Sequence, residues 1–454
     1  MKTITKGKMW CFAIGQFGWS LLSALITNWL VYFYQPDTEQ IAQGQVLFIP
    51  QGRVIFGIAT VIGGIAALGR VFDAVTDPMI ANLSDRSTNP KGRRIPFMRR
   101  IALPFALVTV LVFWAPVKGV STVNSIWLLV TLLLFYLSMT TYCTPYNALI
   151  SELGTTQDTR ISISTYISVT FLLGSAVGYA APFIWGAMEP SMGRIMAIRI
   201  TFTVLAVIGF IALLVPTFTI NEKDYVHTVP SGDDAFTSLA KTFRNGDFRV
   251  FVGSDVLYFI ALTIFQTGLP FFITALMKLP ETYTTILYVA MTLLSFVCYM
   301  PVNILAHRMN KKKLVLIGFT GLATVYIITA VSGLLGISGL VYGVVIVCAA
   351  AFPMAILGIL PQAIVADIAE ADAVVTGENR EGMFFAARTF AFKMGQSISM
   401  LLFTAFASIG PETGFGYRLA AVVAAVICLT GAFVLSRYDE QKVLGIIVPE
   451  RKNS

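Results

Sequence analysis

The sequence predicts an all-α membrane protein with twelve transmembrane helices, and three observations support this fold class. Hydrophobic residues make up 56% of the 454 residues and charged residues only 12%, whereas soluble domains carry about 25% charged residues. The mean hydropathy is +0.77, which is typical of a chain that is largely buried in lipid. Twelve apolar stretches reach the roughly 20 residues that cross a bilayer core about 30 Å thick. This composition excludes a water-soluble enzyme, a disordered protein and a coiled coil.

The twelve apolar stretches, here called spans 1 to 12, fall into two sets of six. The first set lies at 9–34, 54–80, 100–117, 124–150, 163–188 and 195–219, and the second at 250–277, 283–307, 314–335, 338–366, 383–409 and 415–436. We therefore predict an N-terminal six-helix bundle at 1–220, a cytoplasmic linker at 221–248, a C-terminal six-helix bundle at 249–437 and a cytoplasmic tail at 438–454.

The distribution of basic residues predicts the orientation of the chain in the membrane. Five lie in segments predicted to be outside and four within spans, so the remaining 23 of the 32 lie in segments predicted to be inside. Basic residues concentrate in cytoplasmic loops, so we expect both termini in the cytoplasm and the chain in the cell inner membrane. The same bias accounts for the net charge of +8. We therefore expect the lipid bilayer, and no nucleic acid, as a partner.

A short basic turn follows the second span of each half, at 85–94 and at 307–313. Two halves with the same order of spans suggest a parallel duplication and two pseudo-symmetric bundles. Secondary transporters commonly have this organisation, with the substrate site between the halves. The alternative is that any basic cytoplasmic turn has this appearance.

Span 2 contains three charged residues, Arg70, Asp73 and Asp77, in an otherwise apolar helix. Each costs roughly 2.5–3.5 kcal/mol near the middle of a membrane, so intramembrane acids usually serve a function. The two acids are four residues apart and share a helix face. Two neighbouring carboxylates repel unless a cation binds or one is protonated, so the site predicts Na⁺ or H⁺ binding, with Thr76 as a weaker ligand. The structural alternative is an internal pair in which Arg70 is the charge partner of Asp73.

Span 11 adds Arg388 and Lys393. A buried ammonium needs an anionic partner, and we expect Asp73 and Asp77 of the other half to provide it. The alternative is that Lys393 extends to a membrane interface.

Polar and aromatic side chains on spans 1 and 7 are candidates for binding a hydroxyl-rich ligand such as a sugar. Helix–helix hydrogen bonding explains such stripes about as often. The candidates are Gln16, Trp19, Ser20, Ser23, Thr27, Ser254, Tyr258 and Gln266.

Charges of both signs lie in the predicted cytoplasmic loops, and we expect them to form a breakable ion-pair gate between the halves. The alternative is a solvated surface with little energetic effect. The candidates are Asp85, Arg93, Arg94, Glu152, Arg160, Asp367, Glu370, Asp372 and Arg380.

No nucleotide-binding or hydrolase motif occurs in the chain, so neither an ATP-driven pump nor an enzyme is expected. We predict a monomeric secondary transporter with a small-molecule substrate. The alternative from another class is a non-transporting membrane sensor or enzyme.

Several motifs resemble one family of transporters. They are 70–78, 85–86, 92–97, 144–149, 367–370 and 393–395, in that order along most of the chain. These segments are similar to the glycoside–pentoside–hexuronide:cation symporter family of the major facilitator superfamily, which includes the melibiose carrier.

The resemblance implies twelve helices in two bundles and cation-coupled sugar symport by alternating access. It implies a cation at Asp73 and Asp77, with Thr76 and Thr140 as further ligands, and it places Lys393 and Thr389 near cation and substrate. Three positions depart from the pattern: Cys143 and Ser20 replace acids, and Ser168 lies nearest to an expected arginine. The choice between Na⁺ and H⁺ stays open. A related vertebrate branch carries lysolipids, so a lysolipid or another amphiphile is the alternative substrate.

Overall fold

The computed structural model describes residues 4–53, 57, 59–85, 87, 89, 92–154, 157–225, 241–377 and 381–451. The chain divides into two units, Met1–Gly232 and Asp233–Ser454. Within the described residues both units are helical, which confirms the all-α fold class.

Among its described residues, the N-terminal unit contains eight α-helices: α1 (Lys6–Tyr34), α2 (Thr38–Ala42), α3 (Val61–Asp85), α4 (Ile95–Val112), α5 (Thr122–Leu153), α6 (Gln157–Tyr179), α7 (Ala181–Met192) and α8 (Arg194–Thr219). A short 3₁₀ turn, Glu222–Asp224, follows. Spans 1 to 6 correspond to α1, α3, α4, α5, α6 with α7, and α8.

The described part of the C-terminal unit contains seven α-helices longer than two residues: α9 (Gly246–Phe271), α10 (Thr282–Arg308), α11 (Lys311–Val331), α12 (Gly339–Thr376), α13 (Glu381–Ala407), α14 (Phe415–Ser436) and α15 (Glu440–Arg451). One π-helical turn, Phe272–Leu276, extends α9. Spans 7 to 12 correspond to α9 through α14.

Eleven helices within the described ranges are long and apolar enough to cross a membrane. The 25-residue α3 is also long enough, but its interior carries Arg70, Asp73 and Asp77. Together they account for the twelve predicted spans.

The helices differ in extent from the predicted spans and from the segments between them. α9 already begins at Gly246, inside the predicted linker, and α15 occupies most of the predicted tail. α5 and α12 extend beyond their spans, so Glu152 lies in the last turn of α5 and Asp367 lies within α12 rather than in loops. Apolar residues identify only the part of a helix that lies in lipid. The helical backbone hydrogen bonds continue into the polar residues on either side, so a helix can be longer than its apolar span.

α1 packs closely against α6 and α8 through glycines. A Cβ on Gly18 would lie 2.8 Å from the Gly209 carbonyl oxygen, and a Cβ on Gly174 would lie 2.1 Å from Ser20 Oγ. Small residues let helix backbones approach in a membrane, where lipid provides no hydrophobic drive between helices. The resulting contacts hold the polar face of α1 in the interior of the unit.

A glutamate binds the first backbone N–H groups of one helix in each unit. In the N-terminal unit the Glu222 carboxylate accepts hydrogen bonds from the backbone N–H groups of Arg93, Arg94 and Ile95, at 2.9, 2.9 and 3.2 Å. In the C-terminal unit Glu440 accepts from the backbone N–H groups of the first two residues of α11, at 2.9 and 3.0 Å. A carboxylate at a helix N-terminus satisfies unpaired donors and complements the helix dipole.

An arginine binds the opposite end of the same two helices. Arg199 of α8 donates to the Phe113 carbonyl at 3.0 Å, at the C-terminal end of α4. Arg418 of α14 donates to the carbonyls of Ala330 and Ser332 at 2.6 and 2.7 Å, at the end of α11. In each unit, an arginine of the sixth long helix thus binds the C-terminal end of the third long helix. A glutamate that follows the sixth long helix binds the N-terminal end of the third. This shared arrangement supports the predicted internal duplication.

Replacing Glu222 with glutamine should destabilise the protein, because an amide keeps one acceptor oxygen where the carboxylate accepts from three N–H groups, two of them buried. We expect a loss of about 1–3 kcal/mol, the cost of leaving buried donors unsatisfied. Thermal unfolding of the purified protein in detergent measures the effect. Glu440→Gln should behave similarly, whereas Glu412→Gln at an exposed position is the control. Equal midpoints for all three variants would contradict the assignment.

Candidate coupling and substrate site

The most deeply buried acid of α3 is Asp73, which has 0% solvent exposure. Thr140 of α5 donates its hydroxyl to Asp73 Oδ1 at 2.6 Å. Two residues far apart in the sequence therefore form one polar site between α3 and α5. This hydrogen bond brings oxygen atoms of both side chains together.

Asp77 lies one turn beyond Asp73 on α3 and is half-buried. Thr76 is buried, and its hydroxyl donates to the Asp73 carbonyl at 3.1 Å. This bond fixes the Thr76 side chain along its own helix, as expected for a residue away from the shared face of the two acids. The acids and Thr140 are therefore the stronger candidates for cation ligands.

Arg70 is also buried, with 7% exposure, and it contacts neighbouring helices. Its Nη2 donates to Thr27 Oγ1 of α1 at 3.3 Å, and its guanidinium lies 5.1 Å from the centre of the Tyr136 ring of α5. An internal pair with Asp73 therefore does not by itself explain why Arg70 lies within this helix. Arg70 also connects α3 to α1 and α5.

The polar stripe on α1 is mostly occupied by contacts within the N-terminal unit. Gln16 is buried and accepts from the Trp19 indole N–H at 3.1 Å. Ser20 donates to the Phe17 carbonyl, and Ser23 lies 3.1 Å from the Met139 sulfur. Trp19 remains partly exposed, which makes it the better candidate of this group for contacting a ligand.

The C-terminal unit contains a charged residue that sequence reasoning missed. Asp255 of α9 is 4% exposed and accepts two hydrogen bonds from Arg388 of α13, Nε to Oδ2 at 2.6 Å and Nη2 to Oδ1 at 3.0 Å. The sequence carries a signal for it, because Asp255 is an acid within an apolar span. The neighbouring Ser254 and Tyr258 were selected as candidates instead.

The other candidates of the C-terminal unit have different surroundings. Lys393 of α13 is 8% exposed, so it lies in the interior rather than at an interface. Thr389 is half-buried and donates to the Phe385 carbonyl at 2.9 Å. Tyr258 is buried beside Asp255, and Gln266 is half-buried. Ser254 donates to the Gly431 carbonyl, which indicates a helix–helix contact.

Two of the predicted gate arginines bind one acid in the N-terminal unit. Glu152 Oε1 accepts from Arg93 Nη2 at 3.1 Å and from Arg94 Nη2 at 2.7 Å. These bonds join the start of α4 to the end of α5. The side chains of Asp85, Arg160 and Arg380, also predicted for the gate, lie outside the described residues.

The C-terminal unit contains a similar contact between the start of α11 and the C-terminal third of α12. Lys311 Nζ lies 2.5 Å from Asp367 Oδ2. Further along α12, the Asp372 carboxylate accepts a hydrogen bond from the side chain of Asn245, the residue before α9, at 3.0 Å. Glu370 is half-buried on the same helix. Both units thus join equivalent helices by ion pairs. A gate between the halves stays a prediction.

Reversing the charge of Asp367 with Asp367→Lys should lower the thermal unfolding midpoint and slow transport, because two ammonium groups would then meet at the α11–α12 contact. The exchanged pair Lys311→Asp/Asp367→Lys should recover part of both losses. A partly exposed pair contributes up to about 1 kcal/mol. The same exchange at the more exposed Lys442–Asp247 pair is the control and should change little. Equal effects of the single and double variants would contradict a direct pair.

Among the described residues there is no group of three or more histidine, cysteine, aspartate or glutamate side chains that could hold a metal ion. A cation at Asp73 and Asp77 would therefore rely on hydroxyl or carbonyl oxygens beside two carboxylates. Such hard oxygen ligands fit a small alkali cation better than a transition metal.

These features define a multi-pass membrane protein with buried ionisable residues, and the family model that matches it is that of a transporter rather than of an enzyme. The chain belongs to the family described as MFS/sugar transport protein, whose model matches residues 11–439. This confirms the family that the motifs resemble and the major facilitator fold.

Relatives and solved structures agree with this assignment. A candidate glycoside/cation symporter of Escherichia coli K12, YagG, is 23% identical over 84% of each chain. The sodium-dependent lysophosphatidylcholine symporter 1 of Xenopus tropicalis is 36% identical over 114 residues, which are 25% of this chain and 21% of the relative. The crystal structure of the nucleoside transporter NupG matches 95% of this chain and 98% of its own with a TM-score of 0.67 at 11% identity, which shows the fold alone.

Proposed function

We propose that this protein is a cation-coupled symporter that carries a sugar or glycoside by alternating access. The observation that carries the proposal is the Asp73 carboxylate, fully buried in a membrane-crossing helix and bonded to Thr140 at 2.6 Å. A structural role alone does not account for two acids one turn apart in such a helix, since each is costly there. The name of the relative YagG supports a glycoside as substrate.

In this proposal Asp73 and Asp77 bind the coupling cation, Na⁺ or H⁺, and Thr140 adds a hydroxyl oxygen. Trp19, Tyr258, Gln266, Thr389 and Lys393 contribute to the substrate site. The protein acts as a monomer in the inner membrane. Both of its termini lie in the cytoplasm, as the distribution of basic residues predicts.

Uptake into proteoliposomes tests the proposal. A panel of labelled sugars and glycosides is presented with a sodium gradient, a pH gradient, both or neither. Accumulation above the outside concentration under one gradient, and equilibration without it, supports symport. Uptake that never exceeds the outside concentration under any gradient would exclude cation-coupled symport of the sugars tested.

A lysolipid is the second candidate substrate, because the 114-residue match to the lysophosphatidylcholine symporter has 36% identity. The same proteoliposome assay with labelled lysophosphatidylcholine, corrected for partition into protein-free liposomes, distinguishes the two. Sodium-dependent transfer of the lysolipid without sugar uptake would favour this alternative.

A further inference from the structure

The Asp255–Arg388 pair has no role in the coupling proposal, although both residues lie within membrane-crossing helices. Its two parallel N–H···O bonds, at 2.6 and 3.0 Å, form the bidentate geometry in which arginine recognises any carboxylate. Asp255 lies about 13 Å along α9 from its first residue, at a rise of 1.5 Å per residue. Charges at such positions are usually functional.

Arg388 lies on the more open side of the pair. Its side chain is 11% exposed and that of Asp255 only 3%. The guanidinium is 5.6 Å from the centre of the Phe259 ring, and Phe259 stacks on Phe392 at 4.6 Å. Both rings are half-buried, so they present an aromatic surface beside the guanidinium. An aromatic face next to a carboxylate-binding fork suits a sugar ring that carries an acid group.

Asp255 faces a small cavity on its other side, with room for about one water molecule. The polar members of its lining are Ser254, Asp255 and Tyr258. The remaining lining is apolar: Phe251, Val315, Phe319, Leu357, Pro361 and Leu435. A protonated Asp255 would find hydroxyl partners there, whereas an ionised Asp255 without Arg388 would be poorly solvated.

The titratable groups around Asp255 come from four helices. Arg388 belongs to α13 and Tyr258 to α9 itself, while Tyr299 of α10 and Cys428 of α14 lie beyond Tyr258. α11 and α12 present only apolar side chains to the cavity. Among these described groups Asp255 is the one carboxyl. The arginine, tyrosine and cysteine side chains already carry their protons at neutral pH, so Asp255 is the group that can take one up.

We propose, on the basis of the proposed function, that Arg388 is a carboxylate-exchange site for an acidic sugar and that Asp255 takes up one proton when the sugar binds. Arg388 breaks two hydrogen bonds to Asp255 and forms two to the carboxylate of the ligand. One proton from water bonds to an Asp255 oxygen. The site is neutral before the exchange, with one anion and one cation. It is neutral afterwards, with a protonated acid, the guanidinium and the ligand anion.

This charge balance links the two events. The ligand anion alone would leave an ionised Asp255 in apolar surroundings, and a proton alone would leave Arg388 without an anion. Each event therefore lowers the cost of the other, which is positive thermodynamic coupling between proton and substrate. The acidic sugar and the proton enter together as a neutral unit.

Calorimetric titration of the purified full-length protein tests the proposal. The probes are D-glucuronate and D-galacturonate, with D-glucose and D-galactose as their neutral counterparts. Titration in two buffers of different ionisation enthalpy measures proton uptake. We expect at least tenfold tighter binding of an acid than of its counterpart, with close to one proton taken up per bound ligand. Arg388→Gln should weaken acid binding at least tenfold.

The variant Asp255→Asn distinguishes the proposed exchange site from a structural ion pair more clearly than Arg388→Gln does. It frees Arg388 and cannot take up the proton, so acid binding should become tighter and proton uptake should disappear. A merely structural ion pair would instead lose binding in both single variants. The double variant Asp255→Asn/Arg388→Gln retains a neutral pair and checks folding, and Asp247→Asn at the exposed end of α9 is the matched control with unchanged binding.

Equal binding of acids and neutral sugars, or no binding of either acid, overturns the proposal. Gradient-driven accumulation of a neutral sugar that is unchanged in Asp255→Asn also overturns it while the proposed function stands. Conversely, acid binding with proton uptake but no accumulation under any gradient would leave this site intact and exclude symport.

Discussion

Replacing Asp77 with asparagine should abolish the accumulation of substrate against its gradient. One cation that moves through 100 mV supplies about 2.3 kcal/mol, enough for roughly fiftyfold accumulation. That energy reaches the substrate only if the cation and substrate sites are linked, with the cation favouring one transport-relevant state. The asparagine side chain would keep the shape and one oxygen of the ligand but lose its charge. The accumulation ratio should therefore fall to about 1.

Substrate exchange without a gradient should survive better in the same variant, since exchange requires only the loaded conformational step. The measurement pairs net uptake with counterflow of one labelled sugar in proteoliposomes, with sodium and pH varied separately. Asp73→Asn should also lose accumulation, with an added loss of stability, because Asp73 is fully buried and bonded to Thr140. If both variants still concentrate substrate, these carboxylates are not the coupling site.

Replacing Lys393 with alanine should reduce transport at least a hundredfold. An ammonium at 8% exposure in a membrane-crossing helix costs roughly 2.5–3.5 kcal/mol, which is retained only where the charge has a role. Removing it also leaves any anion that it balances uncompensated, a change that is strongly unfavourable in the interior. Uptake and counterflow should both fall, because a substrate-site residue acts before the coupling step.

Two controls separate function from folding in this experiment. Lys393→Arg keeps the charge and should retain part of the activity. Thermal unfolding in detergent should show a folded Lys393→Ala protein, since alanine is a good helix former. Wild-type uptake by Lys393→Ala would assign this lysine a structural role.

Individual residues show how far sequence reasoning reached at the site. It identified Asp73 and Asp77, because charge in an apolar helix is visible without coordinates. Thr140 was implied by the family resemblance, and the structure places it on Asp73. Asp255 was missed although the same criterion applies to it. Glu222 falls in the predicted cytoplasmic linker, and in the structure it is buried at the N-terminal end of α4.

Ser20 and Arg70 are residues that the sequence identifies but whose contacts it does not predict. Both were singled out as polar residues within spans, and their roles depend on neighbours that the sequence does not reveal. Ser20 packs against Gly174 and bonds within α1, while Arg70 reaches Thr27 and Tyr136. A polar side chain in a membrane helix needs a partner, but sequence spacing does not say which helix provides it.

Four features can be read from the sequence alone: the membrane-spanning class, the twelve helices, the two-fold organisation and the costly charges in spans 2 and 11. These follow from composition and local pattern, because lipid requires each crossing segment to be apolar and to satisfy its own backbone. Only the tertiary structure decided the partners: Thr140 for Asp73, Arg388 for Asp255 and the α4 N-terminus for Glu222. Such pairing depends on which helix faces meet, and the packing of whole helices determines that.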